Sequence, residues 1–421
     1  MANFRPIIYN LHRLIDRFPS PSPTGVDRVD LHYALFMLQQ AQERSIYFIR
    51  QRQNLSYLVP FKEAEKLINN LEQRWLKGSK QTQHPLNTTA SYLRHWPALR
   101  LRQVRQQLID PKLLALLKAS TKPPIYIHSG HGTLHHLDLH EQIRQQFQAD
   151  MIYYLHDLIP IEFPEYTNNP NALTMHQRRL KTMASTGRLI LANSQDSRQK
   201  FLDYCKQHQL PQPPVEVLLI GVEEAFVQAA QQPQQALPAR FAQLANSPYF
   251  ITIGTIEARK NHLSLLHLWR ELYAELGTRC PKLVIIGKRG WKAEHIFHLL
   301  DASPALKQTV LEISDANDQE MLSLTQQAQA LLFPSFAEGW GMPLAEALTL
   351  NTPAICSDLG ALRECGRDHC VYLNPIDSMA WKAAILDALK AKPQLKSAYI
   401  PDRWETHLKH LEQILVALDE S

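Results

Sequence analysis

Apolar residues along this chain gather into short unbroken clusters separated by longer amphipathic stretches. PIIYNL, RSIYFI, PIYIHSG, MIYYLHD, RLILANS and VEVLLIG punctuate roughly the first 240 residues, and YFITIGT, KLVIIG, TVLEIS, ALLFPS and PAICSD the next part. Such clusters, rich in β-branched and aromatic residues, suit strands buried on both faces of a parallel sheet. Most precede a helix-compatible segment, so the pattern predicts a doubly wound α/β architecture, and two series predict two Rossmann-like domains. QAAQQPQQALPARFAQLANSPY reads as the connection between them, with the second series starting near Tyr249. The predicted division is 1–240, 241–400 and a tail, 401–421. In the tail Trp404, Leu408, Leu411, Ile414 and Leu418 recur at steps of three or four, as on one face of a helix.

Composition adds little to this picture but removes alternatives. In 421 residues, 45% hydrophobic and 20% charged content is that of a globular chain with a core, not a disordered one. No apolar run approaches the ~18 residues of a membrane span, and the start MANFRPIIYNLHRL carries no cleavable signal pattern. Five cysteines at scattered spacing (Cys205, Cys280, Cys356, Cys365, Cys370) argue for a reducing compartment. The expected location is the cytoplasm or the inner face of its membrane. The net charge of +5 suits an anionic ligand, lipid surface or nucleic acid without choosing between them. Over 74–122 ten Lys or Arg face a single acid, Asp110, and SYLRHWPALRLRQVRQQL interleaves arginines with Tyr92 and Trp96. That stretch fits an anionic membrane or a diphosphate-bearing acceptor, or simply a solvated basic insertion.

Chemistry concentrates in LLFPSFAEGWGMPLAEALTLNTPAICSD, residues 331–358. A buried strand ends at Pro334-Ser335, a loop carries Glu338, Gly339 and Gly341, and Pro343 is placed to open a helix with Glu346 on its first turn. Free N–H groups at a helix start attract a diphosphate. Carboxylates only accept hydrogen bonds, which suits the hydroxyl-rich groups on either side of it. The second cluster, YFITIGTIEARKNHLSLL (249–266), ends a strand at Gly254 and supplies Glu257, Arg259, Lys260 and Asn261. Adjacent cations there would neutralise a bound diphosphate, with no metal required.

The string F-P-S-x-x-E-G-W-G-x-P-x-x-E-A resembles the E-x7-E signature of retaining GT-B glycosyltransferases of family 4. The T-I-E-x-R-K-N variant resembles a branch rich in mannosyltransferases of bacterial surface polysaccharides. The resemblance is densest over 249–377 and thinner over 22–200. It implies a GT-B fold: an N-terminal acceptor domain, a C-terminal donor domain, and a last helix packed back on the first domain. It also implies that Glu338 contacts the transferred sugar and Glu346 the ribose, with departure and attack on one face of the sugar. The family commonly has a basic residue just after the glycine; here that position is Thr255, and Arg259 beside Lys260 takes its place. His156-Asp157, in MIYYLHDLIPIEFPEY, matches pairs that face sugar and acceptor. Gly25, in SPTGVDRVDLHYA, matches the glycine of the first strand-to-helix loop. The implied catalytic set is His156, Asp157, Arg259, Lys260 and Glu338. Donor binding falls to Gly25, Gly254, Thr255, Ile313, Gly339, Trp340, Gly341, Met342 and Glu346. Acceptor binding falls to Asp27, Arg28, His128 and His131.

Other motifs are weaker. His128, His131, His135, His136 and His140 lack the cysteines or paired carboxylates of a metal site and read as an acceptor-side loop. Asn193-Ser194 reads as a helix cap, and Cys365 and Cys370 as core thiols. The absence of G-x-x-x-x-G-K-[ST] and of G-x-G-x-x-G after the first strand weighs against a P-loop NTPase and a dinucleotide oxidoreductase. The expected reaction is hexose transfer, mannose from GDP-mannose, to a glycan or lipid-linked acceptor. The alternatives are a UDP-sugar donor, an epimerase on the same fold, or a non-catalytic glycan- or lipid-binding scaffold. Nothing beyond the basic stretch suggests nucleic acid, and no cofactor is expected other than the donor substrate itself.

Overall fold

The computed structural model describes residues 4–52, 55–77, 109–234, 236–245 and 247–420. Two compact units emerge. The first comprises Met1–Leu158, Leu173–Leu219 and Trp404–Ser421; the second comprises Ile159–Ala172 and Ile220–Arg403.

The first unit is built on a seven-stranded sheet of β1 (Ile7–Asn10), β2 (Ile46–Arg52), β3 (Leu55–Leu58), β4 (Ile125–His128), β5 (Asp150–Leu155), β6 (Gly187–Ala192) and β7 (Val215–Val217). Its order is β3-β2-β1-β4-β5-β6-β7, parallel except for the β2/β3 pair. The second unit holds β8 (Tyr249–Ile253), β9 (Lys282–Ile286), β10 (Val310–Ile313), β11 (Leu331–Phe333), β12 (Ala354–Ser357) and β13 (Cys370–Leu373). They are ordered β10-β9-β8-β11-β12-β13, all parallel. This is the 3-2-1-4-5-6 Rossmann order, in which ligands bind where the strand order reverses, beyond the carboxyl ends of the strands. In the second unit that point lies between β8 and β11.

All eleven predicted clusters form strands. The two strands that pattern reading missed, β3 and β13, are edge strands. LSYL and CVYL are mostly half-exposed, unlike a central strand such as β8, which is buried at every position.

The boundary between the units falls at 219/220, not near 240, because the segment ahead of the Gln/Ala-rich stretch already belongs to the second unit. Ile220, Val222, Phe226 and Val227 are buried, and the Val222 amide donates to the Asp402 carbonyl (2.8 Å). Glu224 pairs with Arg403, and residues Glu224–Ala230 are helical. The tail forms helix Trp404–Glu420 and groups with the first unit. There the Trp404 ring stacks on His32 (3.9 Å, 16°). His407 Nδ1 donates to the Leu219 carbonyl (2.9 Å), which leaves Nε2 to accept from the Tyr33 hydroxyl (3.0 Å).

Most of the basic stretch, including Lys80, Arg94, Arg100, Arg102 and Arg105, lies outside the described residues. At its margins Arg74 sits over the Phe18 and Trp75 rings (5.0 and 5.7 Å), Lys77 pairs with Glu72 (2.8 Å), and Asp110 caps helix Pro111–Lys118. Among the described residues no helix is long and apolar enough to cross a membrane.

Candidate active site

At the carboxyl end of β8 the chain turns through Gly254, whose φ of +145° is open only to glycine, and a Cβ there would press on Lys260 Cε at 3.3 Å. A 3-10 turn, Ala258–Lys260, then presents two cations, and Asn261 in the left-handed region (φ 55°) starts helix His262–Leu276. At the end of β11 the chain enters the 334–341 loop. The two loops are laced together. The Phe336 amide donates to the Arg259 carbonyl (2.9 Å) and Arg259 Nη1 donates to the Ala337 carbonyl (2.6 Å). Lys260 Nζ meets Glu338 Oε1 at 2.6 Å, Arg259 Nη1 meets Glu338 Oε2 at 3.1 Å, and Arg259 Nη2 meets Glu257 Oε1 at 2.7 Å.

These four charges are nearly removed from water: the Glu338 and Lys260 side chains are 9% and 11% exposed. Burial alone would raise the Glu338 carboxyl, but Lys260 and Arg259 outweigh it and hold the group down at about 2. Burial presses the Lys260 ammonium below its ordinary range although Glu338 supports its charge. Buried ion pairs seldom add stability over an apolar packing. A compact cluster of them with shifted pKa values, at the sheet's topological switch point, makes this the candidate site.

Beside this cluster Gly341 (φ +106°) caps helix Met342–Thr349, with Pro343 in its first turn. A Cβ on Gly341 would lie 2.6 Å from Leu362 Cδ2, so both conformation and space demand glycine. The helix starts at Met342, so Glu346 stands one turn further in than expected, and it is buried. Gly339 and Met342 are half-buried on the loop and helix start, as is Thr255 after β8. Trp340 is 3% exposed, and its indole Nε1 has no partner among the described residues. Ile313 ends β10, and its carbonyl already accepts from the Gly287 amide (2.9 Å).

In the first unit the His156 ring is buried. Its Nε2 donates to the Ser129 carbonyl (2.6 Å), and Asn193 Nδ2 donates to the His156 carbonyl (2.5 Å). Asn193 is therefore a brace for His156, while Ser194 alone caps helix Gln195–Gln207. Burial pushes the imidazole down to about 4, so it is neutral at pH 7 with Nδ1 left as its acceptor. Asp157 is half-buried and its carbonyl accepts from His176 Nε2 (3.1 Å).

Three expectations for the first unit need correction. Asp27 is fully buried and forms the capping box of helix Gly25–Gln40 with Thr24. Its oxygens also take Arg13 Nε (2.7 Å) and Arg17 Nε (3.0 Å), so its role is to cap the helix, not to meet an acceptor. Gly25 is the first residue of that helix and is exposed, with no positive φ; helix His12–Arg17 intervenes between it and β1. His128 is 2% exposed, stacked on His140 (5.8 Å, 14°) and edge-on to Tyr126, inside the unit. His131 is half-buried against His156 (4.8 Å) and His176 (5.7 Å), and its Nε2 lacks a partner among the described residues. Arg28 is half-buried on the helix.

Sequence reading missed a buried network. Tyr9 donates to Asp30 Oδ1 (2.8 Å), and the Ser129 hydroxyl bonds both Tyr9 (2.7 Å) and Asp30. Burial pushes the Asp30 carboxyl up to about 6. The signal was present: Asp27, Asp30, Ala34 and Met37 share one helical face, and two acids on an otherwise apolar face need partners.

Residues 234–400 match the family model described as Glycosyl transferases group 1. The chain carries a glycosyl transferases group 1 domain. Glu338, Lys260 and Gly341 all lie inside it. Among curated proteins the chain is similar to O-antigen chain mannosyltransferase B of Escherichia coli, 28% identical over 236 residues that cover 56% of this chain and 60% of that protein. It is also similar to the serotype-specific mannosyltransferase WbdA of Escherichia coli, 32% identical over 151 residues, 36% of this chain but only 18% of WbdA. The chain thus spans less than two thirds of the relatives it matches. Among solved structures it is similar to sucrose-phosphate synthase of Thermosynechococcus elongatus (TM-score 0.60, 15% identity, 98% and 99% of the two chains covered). It is similar also to HepE of Anabaena in complex with UDP-glucose (TM-score 0.59, 14% identity, 98% and 99% covered). With the two Rossmann-ordered sheets, these similarities establish the GT-B fold around the group 1 domain.

Proposed function

We propose that the protein transfers mannose from GDP-mannose, with retention, to a glycan or lipid-linked acceptor in the synthesis of a bacterial surface polysaccharide. The observation that carries this reading is the Lys260–Glu338–Arg259 cluster at the switch point of the second unit, beside a glycine-capped helix start. The names of the curated relatives, a serotype-specific mannosyltransferase and an O-antigen chain mannosyltransferase, support mannose as the sugar.

In this proposal the donor diphosphate lies against the start of helix Met342–Thr349, where the helix dipole favours negative charge. Lys260 and Arg259 stabilise the charge that grows on the diphosphate as the bond to the sugar C1 breaks, which makes a metal unnecessary. Glu338, kept ionised, accepts hydroxyls of the sugar, and Glu346 those of the ribose. The acceptor oxygen bonds to C1 on the face the diphosphate leaves, and its proton passes to the departing phosphate oxygen. His156 and Asp157 orient the acceptor hydroxyl; a neutral His156 accepts through Nδ1. Contact of the basic 74–122 stretch with an anionic membrane belongs to the same proposal, on charge alone.

A thermal-shift screen with GDP, UDP and ADP, followed by sugar-nucleotide turnover, tests this reading. A ligand at a hundred times its Kd adds about 2.7 kcal/mol of stability. GDP alone is expected to raise Tm, and GDP-mannose to release GDP in the presence of a mannose-containing acceptor. A shift with UDP and turnover of UDP-glucose would replace the donor. A shift without turnover of any sugar nucleotide would favour a binding scaffold.

A further inference from the structure

Between β5 and helix Ala172–Thr186 the chain leaves the first unit for fourteen residues, Ile159–Ala172, and packs with the second. The excursion begins two residues after Asp157. It is internally braced as helix Ile159–Glu162 and a 3-10 turn, Pro164–Tyr166, with the Phe163 amide donating to Ile159 (2.8 Å) and the Thr167 hydroxyl to Pro164 (2.8 Å).

Its tip lands on the loops of the switch point. The Tyr166 ring lies parallel to Phe336 (5.9 Å between centroids, 8°), an offset-stacked arrangement, and Phe163 stacks behind it (5.8 Å, 28°). Trp291 Nε1 donates to the Tyr166 carbonyl and Lys292 Nζ to the Glu165 carbonyl, both at 2.8 Å. Lys292 adopts φ 52°, a left-handed conformation with a cost for a side chain this large. The loop after β9 is tied in turn to the β8 loop, since the Ile256 amide donates to the Lys288 carbonyl (2.9 Å) and the Ile256 carbonyl accepts from the Gly290 amide (3.0 Å). Tyr166 therefore touches, directly or through one backbone bond, the loops that follow β8, β9 and β11.

Phe336 stands two residues before Glu338 and donates its amide to Arg259. We propose that Tyr166 is a positioning residue: its ring fixes Phe336, and Phe336 fixes the 334–341 loop that aims Glu338 at the sugar. This rests on the proposed role of Glu338 for its consequence, but not for its geometry. The stack bears on the arm of the loop that carries Glu338, five residues ahead of the Gly341 helix cap, so its loss is expected to act on turnover more than on the affinity for free nucleoside diphosphate.

The experiment combines amide hydrogen exchange over 334–341 with donor kinetics and GDP calorimetry on the full chain, for Tyr166→Ala, Tyr166→Phe and Phe336→Leu. Tyr166→Ala is expected to lose exchange protection at the Phe336 amide and to lower kcat roughly three- to tenfold, the factor an aromatic pair of this kind is worth. GDP affinity is expected to hold, and Tyr166→Phe to restore protection and rate. The double variant Tyr166→Ala/Phe336→Leu is expected to be no slower than the worse single variant, because both remove one contact. Unchanged protection at Phe336 in Tyr166→Ala, additive rate losses, or a parallel fall in GDP affinity would overturn the proposal. A wild-type chain that turns over no sugar nucleotide would sink the functional reading instead, and the exchange result would still decide the role of Tyr166.

Discussion

Replacing Glu338 with glutamine is expected to lower kcat by about a hundred- to a thousandfold, the range seen when one preorganised electrostatic group is removed from an active site. The amide keeps the shape and one acceptor oxygen but not the charge that Lys260 and Arg259 hold in place at 2.6 and 3.1 Å. Glu338→Ala carries a second cost. It leaves two buried cations short of their carboxylate, and breaking a buried pair from one side costs about 3–5 kcal/mol. The alanine variant should therefore melt earlier as well as turn over slowly, while the glutamine variant separates the two effects. The sign of the pH dependence follows from the depressed carboxyl. Its folded-state pKa of about 2 lies below the unfolded value near 4.5. The stability it contributes is complete above about pH 4.5 and disappears as pH falls through 2. Steady-state kinetics and circular-dichroism melts of both variants check this; a glutamine variant with near wild-type turnover would remove Glu338 from the mechanism.

Acid lability of the first unit is the second large effect. Burial pushes His156 down to about 4 and His140 and His176 to about 3, and it lowers His128 and His131 well below the ordinary range. Unfolded, each would take up a proton near pH 6.5, at roughly 1.4 kcal/mol per pH unit of difference between the two states. The stability of their neutral form is full above about pH 6.5 and is lost as pH falls toward 4. Asp30 works the other way. Its raised carboxyl, about 6 against 3.8 unfolded, gains its proton in the folded state first and offsets one histidine across that interval. His12, His135, His136 and His407 are lowered in the same way, so the histidines outweigh the raised Asp30 carboxyl and fix the sign: Tm should fall steeply between pH 7 and pH 5. A Tm that stays flat over that range would show that these rings are hydrated and free to protonate.

How much of this was legible in the amino-acid sequence depends on whether a residue's surroundings are local. The central strands announced themselves because burial on both faces forces unbroken apolar runs. Among the edge strands LSYL did not, since Ser56 breaks its run, and CVYL, though apolar, is only four residues long and mostly half-exposed. Glu338, Lys260 and Gly341 were legible because a strand, a glycine and a helix start lie within a few residues of each. Asp27 and His128 were misread because their partners, Arg13 and Arg17 for one and His140 for the other, come from other elements. The boundary at 219/220 was hidden for the same reason: Val222 is claimed by Asp402, 180 positions later. Tyr166 gave no signal, because a tyrosine after two prolines says nothing of the phenylalanine 170 positions on that it will cover.

The central claim is that the second unit holds a sugar nucleotide by its diphosphate between Lys260 and the start of helix Met342–Thr349. The most direct measurement is a crystal structure of the protein grown with GDP. Phosphate oxygens within about 3 Å of Lys260 Nζ and of backbone amides at that helix start are the predicted result. A nucleotide bound with its phosphates away from both would contradict it.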